Sequence, residues 1–145
     1  MLSSSCTYGL RAIVFLAAEG ADTFVPVRRI ADTLSISPTF LSKVLHGLAG
    51  AGLIETYRGP NGGARLARPA VTISVRDVVT ALDGPDLFKE CVLGLPGCGE
   101  QKPCPMHRQW AVIRTEIERS MAAETIEELA DGYRTGDRRL SASTG

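Results

Sequence analysis

The chain has 145 residues, sixteen Lys and Arg against sixteen Asp and Glu, and 44% apolar residues. That is room for one domain, or one small domain with an appendage, of ordinary globular composition. No apolar run reaches the roughly 18 residues of a membrane-spanning helix. The chain also has no Gly-rich phosphate loop at a strand–helix junction, no Ser/His/Asp set and no paired carboxylates in a plausible cleft, so neither an enzyme nor a small-molecule substrate is expected.

The zero net charge hides a local excess. Residues 26–68 carry Arg28, Arg29, Lys43, Arg58, Arg65 and Arg68 against Asp32 and Glu55, while residues 69–145 carry nine bases and twelve acids. A basic excess confined to one segment is a modest footprint for phosphate contact, and a solvated surface without a partner would look similar.

In chain order, the first twenty residues hold an apolar patch with no basic lead-in, interrupted by Arg11 and Glu19. They read as an amphipathic helix rather than a signal peptide, so a cytoplasmic protein is expected. Leu10, Ile13, Val14 and Ala17 recur at helical spacing, and Gly20 ends the pattern. A short helix is predicted over 27–34, with Pro26 near its start and Ile30, Ala31 and Leu34 inward. After the turn Ser35-Ile36-Ser37, Ser37 is an N-cap candidate and Pro38 suits the first helical position. The following helix, 38–51, buries Leu41, Val44, Leu45 and Leu48 and shows Thr39, Ser42, Lys43 and His46. Two helices joined by a short turn, the second with a polar face, make a helix-turn-helix, though many helical hairpins share the pattern.

A β-hairpin is predicted next. Leu53–Tyr57 is one strand, Arg58–Arg65 the turn, and Leu66–Arg68 the return strand, stopped by Pro69. Placed after a helix-turn-helix it becomes a wing. Asn61, Gly62 and Gly63 form a tip able to approach a groove closely, and Arg58 and Arg65 flank it. An ordinary surface hairpin is the alternative. Residues 73–83 form another helix, with Ser74 and Asp77 as a capping box, closed by Gly84-Pro85.

Cys91, Cys98 and Cys104 then follow in a loop with three glycines and two prolines between the first and last. In a reducing compartment clustered cysteines point to metal ligands or redox sensing rather than structural disulfides. Spacings of six and five residues are wider than the two to four usual between paired zinc ligands, which favours an iron–sulfur cluster. Zinc, or a bare thiol switch, stays open.

From Pro105 onward Trp110, Ile113, Ile117 and Met121 recur at spacings of three and four, and Ile126 and Leu129 extend the pattern loosely. One helix of about 25 residues, near 37 Å, is predicted. Its apolar stripe should pack on a second copy and on the first helix, with intramolecular packing as the alternative. The pattern is lost from Gly132, where a disordered tail is expected. The chain thus divides into a winged helix-turn-helix domain (1–84), a cysteine-rich loop (85–104), a dimerisation helix (105–131) and a tail (132–145). The expected fold is mainly α with a small β-hairpin wing.

The run Tyr8-Gly9-Leu10-Arg11-Ala12, the helix-turn-helix, the wing from Arg58 to Arg68, the segment Val78 to Pro85, and the cysteine triad with Pro105-Met106-His107 together resemble one family. It is the bacterial winged-helix regulators that include the iron–sulfur regulator IscR and the nitric-oxide sensor NsrR. The resemblance covers about residues 2–130. It implies a homodimer that binds double-stranded DNA, and an iron–sulfur cluster that tunes the binding. By position, Thr39, Ser42 and Lys43 match the face that reaches base edges, and Arg58 and the wing glycines match minor-groove contacts. Arg28, Arg29, Ser37, Asn61 and Arg65 complete the candidate DNA face. Ser42 stands where IscR has an acidic residue, so the DNA site should differ.

The resemblance also implies a fourth cluster ligand beside Cys91, Cys98 and Cys104. His107 occupies the position that supplies it in IscR-like proteins. NsrR-like relatives use an acidic residue of the partner subunit just before the tyrosine matching Tyr8. Here that position is Thr7, with Cys6 adjacent as a possible ligand across the dimer. Nuclearity, 2Fe–2S or 4Fe–4S, is open. The expected function is a transcription regulator sensing redox state, iron supply or nitric oxide. The alternatives are a cluster-free thiol-switch or zinc regulator, and a redox carrier that does not bind DNA.

Overall fold

The computed structural model describes residues 2–20, 22–99 and 101–142. Helix α1 (Ser4–Glu19) begins at Ser4, where the Ser3 hydroxyl accepts the Cys6 N–H and caps it. An N-cap of this kind is worth about 1 kcal/mol. Residues 12–17 of α1 are all buried. A helix apolar around most of its circumference sits inside the molecule rather than on its surface.

A two-residue strand β1 (Val25–Pro26) leads directly into α2 (Val27–Leu34). Ser35 takes the left-handed conformation, φ 55°, and turns the chain. Helix α3 (Pro38–Gly50) starts as predicted, with the Ser37 hydroxyl accepting the Phe40 N–H at 3.2 Å and Pro38 in the first turn. Strands β2 (Ile54–Tyr57) and β3 (Gly63–Leu66) follow, and the antiparallel sheet has the order β1-β3-β2.

Two features of the sheet differ from expectation. The return strand is Gly63–Leu66 rather than Leu66–Arg68, because Tyr57 pairs with Gly63 and Ile54 with Leu66. The third strand, β1, was not predicted. Its two residues pair with Ala64 and Gly63. A Cβ on Gly63 would lie 2.4 Å from the Val25 carbonyl oxygen, so this pairing depends on glycine.

Helix α4 (Val75–Asp83) carries the predicted capping box in full: the Ser74 hydroxyl accepts the Asp77 N–H, and the Asp77 carboxylate accepts the Ser74 N–H. A short 3₁₀ turn, Asp86–Phe88, introduces the cysteine loop.

The single helix predicted over 105–131 is two. Helix α5 spans His107–Ala123 and α6 spans Ile126–Arg134. The break has two causes. Thr125 and Glu128 form a second capping box, which starts a new helix. Long-range backbone bonds hold the break open: Val75 N–H donates to Glu124 C=O at 2.9 Å and Ile126 N–H to Ile73 C=O at 2.8 Å. At about 1.5 Å per residue, α5 is near 25 Å long rather than 37 Å. Helix α6 folds back on α1, where the Arg134 guanidinium donates to the C-terminal carbonyls of Ala17 and Ala18. The tail expected from residue 132 begins as the last turn of α6, and Leu140 packs against the main core. Residues 143–145 lie outside the described residues.

Ile13, Leu16, Ile30, Leu34, Leu41, Leu48, Ile73 and Ile126 are the largest fully buried side chains of the main core. Each contributes roughly 1.5–3 kcal/mol of burial. A smaller cluster of Cys6, Val79 and Phe88, flanked by Ile117 and Met121, joins α1, α4 and α5 at the root of the cysteine loop. No helix among the described residues is long and apolar enough to cross a membrane.

Candidate functional site

Helix α3 has an amphipathic pattern that buries Leu41, Val44, Leu45 and Leu48, so the opposite face must meet solvent. Thr39, Ser42, Lys43 and His46 are all exposed there. Beside this face a cleft of about 510 Å³ runs between α3 and the wing, lined by Arg28, Ser42, His46, Tyr57, Arg58 and the glycines of the hairpin turn. Arg28 and Arg58 thus stand with the polar face of α3. Asn61 is exposed at the hairpin turn. The Ser37 hydroxyl is committed to its capping bond.

Arg29 and Arg65 are placed differently. Arg29 donates to Glu19 at 2.7 Å. Arg65 pairs with Glu55 at 3.0 Å and lies over the Phe24 ring, 4.3 Å from its centroid. Both charges have an acidic neighbour, whereas no ion pair involves Arg28 or Arg58 among the described residues.

The second site is built on the N-terminal half of α5. The loop brings the Sγ atoms of Cys91 and Cys104 to 3.3 Å, as free thiols. The His107 imidazole, in the first turn of α5, places Nδ1 at 3.4 Å from Cys98 Sγ. The backbone N–H groups of Leu95 and Leu93 hold the Cys91 thiol below its ordinary pKa, and the hydrogen bond with Cys91 pushes Cys104 up. Thiolate is the form that ligates metal and reacts. Three thiols of the Gly/Pro-rich loop and one imidazole of α5 thus stand as two close pairs, donor types of the kind iron–sulfur clusters use. Among the described residues no group of three His, Cys, Asp or Glu side chains is spaced to hold a single metal ion.

Cys6 is elsewhere. It is fully buried with Val79 and Phe88, and burial, with Asp83 next, pushes its thiol up to about 12. That environment opposes the thiolate a ligand needs.

Two residues of α5 fasten the start of the loop. The Trp110 indole N–H donates to Glu90 C=O at 2.8 Å. Arg114 donates to Lys89 C=O at 2.7 Å and lies 3.4 Å from Cys98 Sγ. Arg114 was not singled out in the sequence, although its positions four after Trp110 and seven after His107 put it on the same helix face. The predicted interface residues of α5 divide: Ile113 is 48% exposed, with its neighbour Val112 at 68%, whereas Ile117 and Met121 pack into their own protomer beside Cys6.

These features have counterparts in known proteins. Over 93 residues, 64% of this chain and 65% of the other, it is 36% identical to the HTH-type transcriptional regulator NsrR of Bacillus licheniformis. Its structure is similar to that of CymR, the global cysteine regulator of B. subtilis, with a TM-score of 0.75 and 26% identity over 90% of this chain and 96% of that one. It is also similar to T. potens IscR, with a TM-score of 0.70 and 25% identity over 91% and 88% of the two chains. These relatives are regulators rather than enzymes, and the fold is the winged helix that the sequence predicts. Residues 2–132 match the Rrf2 family, described as an iron-dependent transcriptional regulator, and the chain belongs to that family.

Proposed function

We propose that this Rrf2-family regulator is a homodimer whose binding to double-stranded DNA is controlled by an iron–sulfur cluster held by Cys91, Cys98, Cys104 and His107. The observation that carries the reading is the approach of His107 Nδ1 to Cys98 Sγ at 3.4 Å, while Cys6 stays in the core. When bound, the cluster supplies a charge and a loop geometry that change with redox state or iron supply. Arg114 and Trp110 keep the start of the loop against α5. A change in the loop therefore reaches the helix that carries exposed Val112 and Ile113, the surface we assign to the second copy.

On DNA, α3 would enter the major groove with Thr39, Ser42 and Lys43 toward base edges, and the wing with Arg58 would follow the backbone or minor groove. In a dimer the two α3 helices read half-sites about 34–36 Å apart, so a small change in the dimer helices alters affinity. A few kcal/mol of differential stability is enough to switch promoter occupancy.

A second reading is favoured by one contact. Cys91 and Cys104 lie 3.3 Å apart, close enough for two-electron oxidation to a disulfide, the two electrons and two thiol protons passing to hydrogen peroxide, which leaves as water, or to a small disulfide, which leaves as two thiols.

Protein purified without oxygen, with iron and acid-labile sulfide counted and DNA binding measured before and after their removal, tests the proposal. A brown protein whose affinity changes on removal supports the cluster. A colourless protein that contains neither, and whose affinity responds to diamide, moves the assignment to the thiol switch. A brown protein that binds DNA identically in both states overturns control by the cluster.

A further inference from the structure

Gly9 and Gly47 stand inside α1 and α3, where glycine destabilises a helix relative to alanine and where neither residue has a positive φ to justify it. Their common neighbour supplies the reason. A Cβ on Gly9 would lie 2.2 Å from Leu82 Cδ1, and a Cβ on Gly47 would lie 2.8 Å from Leu82 Cδ2. One leucine of α4 thus sends one methyl into each missing side chain and interlocks three helices at a single point.

The position of Leu82 gives the interlock a direction. It packs against both the main core and the smaller cluster of Cys6, Val79 and Phe88 at the root of the cysteine loop. Its neighbour Asp83 accepts the Ser3 N–H at 2.9 Å and, by a short contact, the Ser3 hydroxyl, which fastens α4 to the start of α1. Gly84 ends α4, buried Phe88 anchors the turn that follows, and Cys91 comes three residues later. On the other side, Gly47 follows exposed His46 and lies one helical turn from exposed Lys43.

We infer that Leu82, seated between Gly9 and Gly47, is the positioning residue through which the state of the cysteine loop sets the seat of the recognition helix α3. The inference rests on the proposal that the loop controls DNA binding. A packed core is bistable rather than continuously deformable, so a displaced Phe88 or Asp83 shifts Leu82, and two closely seated helices must follow.

The test measures affinity for a duplex selected from random-sequence DNA by the wild-type protein. Each variant is assayed as purified without oxygen and after diamide oxidation, with helical content and Tm recorded. Leu82→Ala should bring the ratio of the two affinities toward one while both states still bind. Gly47→Ala should lose about tenfold in affinity, equal to about 1.4 kcal/mol, with helical content retained, and the double variant Gly47→Ala/Leu82→Ala should regain most of it. If Leu82→Ala is too unstable to assay, Leu82→Val takes its place and should halve the ratio or more. Variants that lower Tm but leave the wild-type ratio intact overturn the inference alone, since Leu82 would then only fill space. Absence of rescue in the double variant also overturns it. A wild-type ratio of one overturns control by the loop, and the inference falls with it.

Discussion

The indole N–H of Trp110 donates to the backbone carbonyl of Glu90 at 2.8 Å, one residue before Cys91. A residue expected at a dimer seam therefore also clasps the cysteine loop within its own protomer. Arg114, one turn further along α5, donates to the carbonyls of Lys89 and Glu90 and approaches Cys98 Sγ. Removing a single such hydrogen bond costs about 1 kcal/mol. Trp110→Phe keeps the ring and removes only the donor, and Arg114→Gln removes the fork. Both variants should fold normally by circular dichroism, and if the loop holds the proposed cluster they should lose its iron to a chelator several-fold faster than the wild type. Unchanged release rates would mean that the clasp is structural only.

Cys6 offers a pH test with a definite sign. Its thiol is pushed from an ordinary 9.0 to about 12 by burial, then by Asp83. Below pH 9 the thiol is protonated in both folded and unfolded chains. Between about pH 9 and 12 the unfolded chain loses the proton and the folded chain keeps it, so the Cys6 contribution to stability is lost as pH rises through this window. Urea unfolding at pH 8 and pH 10.5 should show the wild type losing more stability than Cys6→Ala between the two. Under the proposed cluster, the same variant should keep the iron content of the wild type. Loss of iron would restore Cys6 as a ligand.

The arginines of the DNA face should separate. Arg58 lines the cleft beside α3 and has no ion-pair partner among the described residues, whereas Arg65 is paired with Glu55. Arg58→Ala should lower the slope of log affinity against log salt by about one unit. Arg65→Ala, which gives up an exposed pair worth about 0–1 kcal/mol, should lower it by much less. Titrations at four salt concentrations distinguish them. Equal slopes would mean that Arg65 leaves Glu55 when DNA binds.

Three glycines predict opposite stabilities. Gly50, at the end of α3, would place a Cβ in open space, so Gly50→Ala should stabilise by about 0.5–1 kcal/mol. Gly9→Ala and Gly47→Ala drive a methyl into Leu82 at 2.2 Å and 2.8 Å and should destabilise by about 1–3 kcal/mol. Thermal unfolding of the three variants side by side checks the ordering. Stabilisation at Gly9 would refute the Leu82 interlock.

Much of the fold was legible because its signals act over a few residues. Ser37 before Pro38, the Ser74 and Asp77 capping box, and the hydrophobic spacing of α3 each satisfy local donors or turn an apolar face inward, and each is found where the sequence predicts it. The cysteine triad and His107 stood out by residue type and spacing; in the fold Cys91 lies beside Cys104 and Cys98 beside His107, as two close pairs.

What only the tertiary structure decided depends on partners far apart in the chain. The apolar pattern runs through Glu124 and Thr125, yet α5 ends there because Ile73 and Val75, some fifty residues earlier, take those backbone hydrogen bonds. Strand β1 exists because Gly63 lets Val25 approach. Cys6 is a core residue because Val79 and Phe88 close over it, and Arg29 and Arg65 are paired because Glu19 and Glu55 lie within reach. The purpose of Gly9 and Gly47 cannot be read in either helix, because it is the side chain of Leu82, from a third. Local sequence determines which elements can form and which chemistry they carry. Which face is covered, which charge is spent and where a helix must stop are settled by close packing between distant segments.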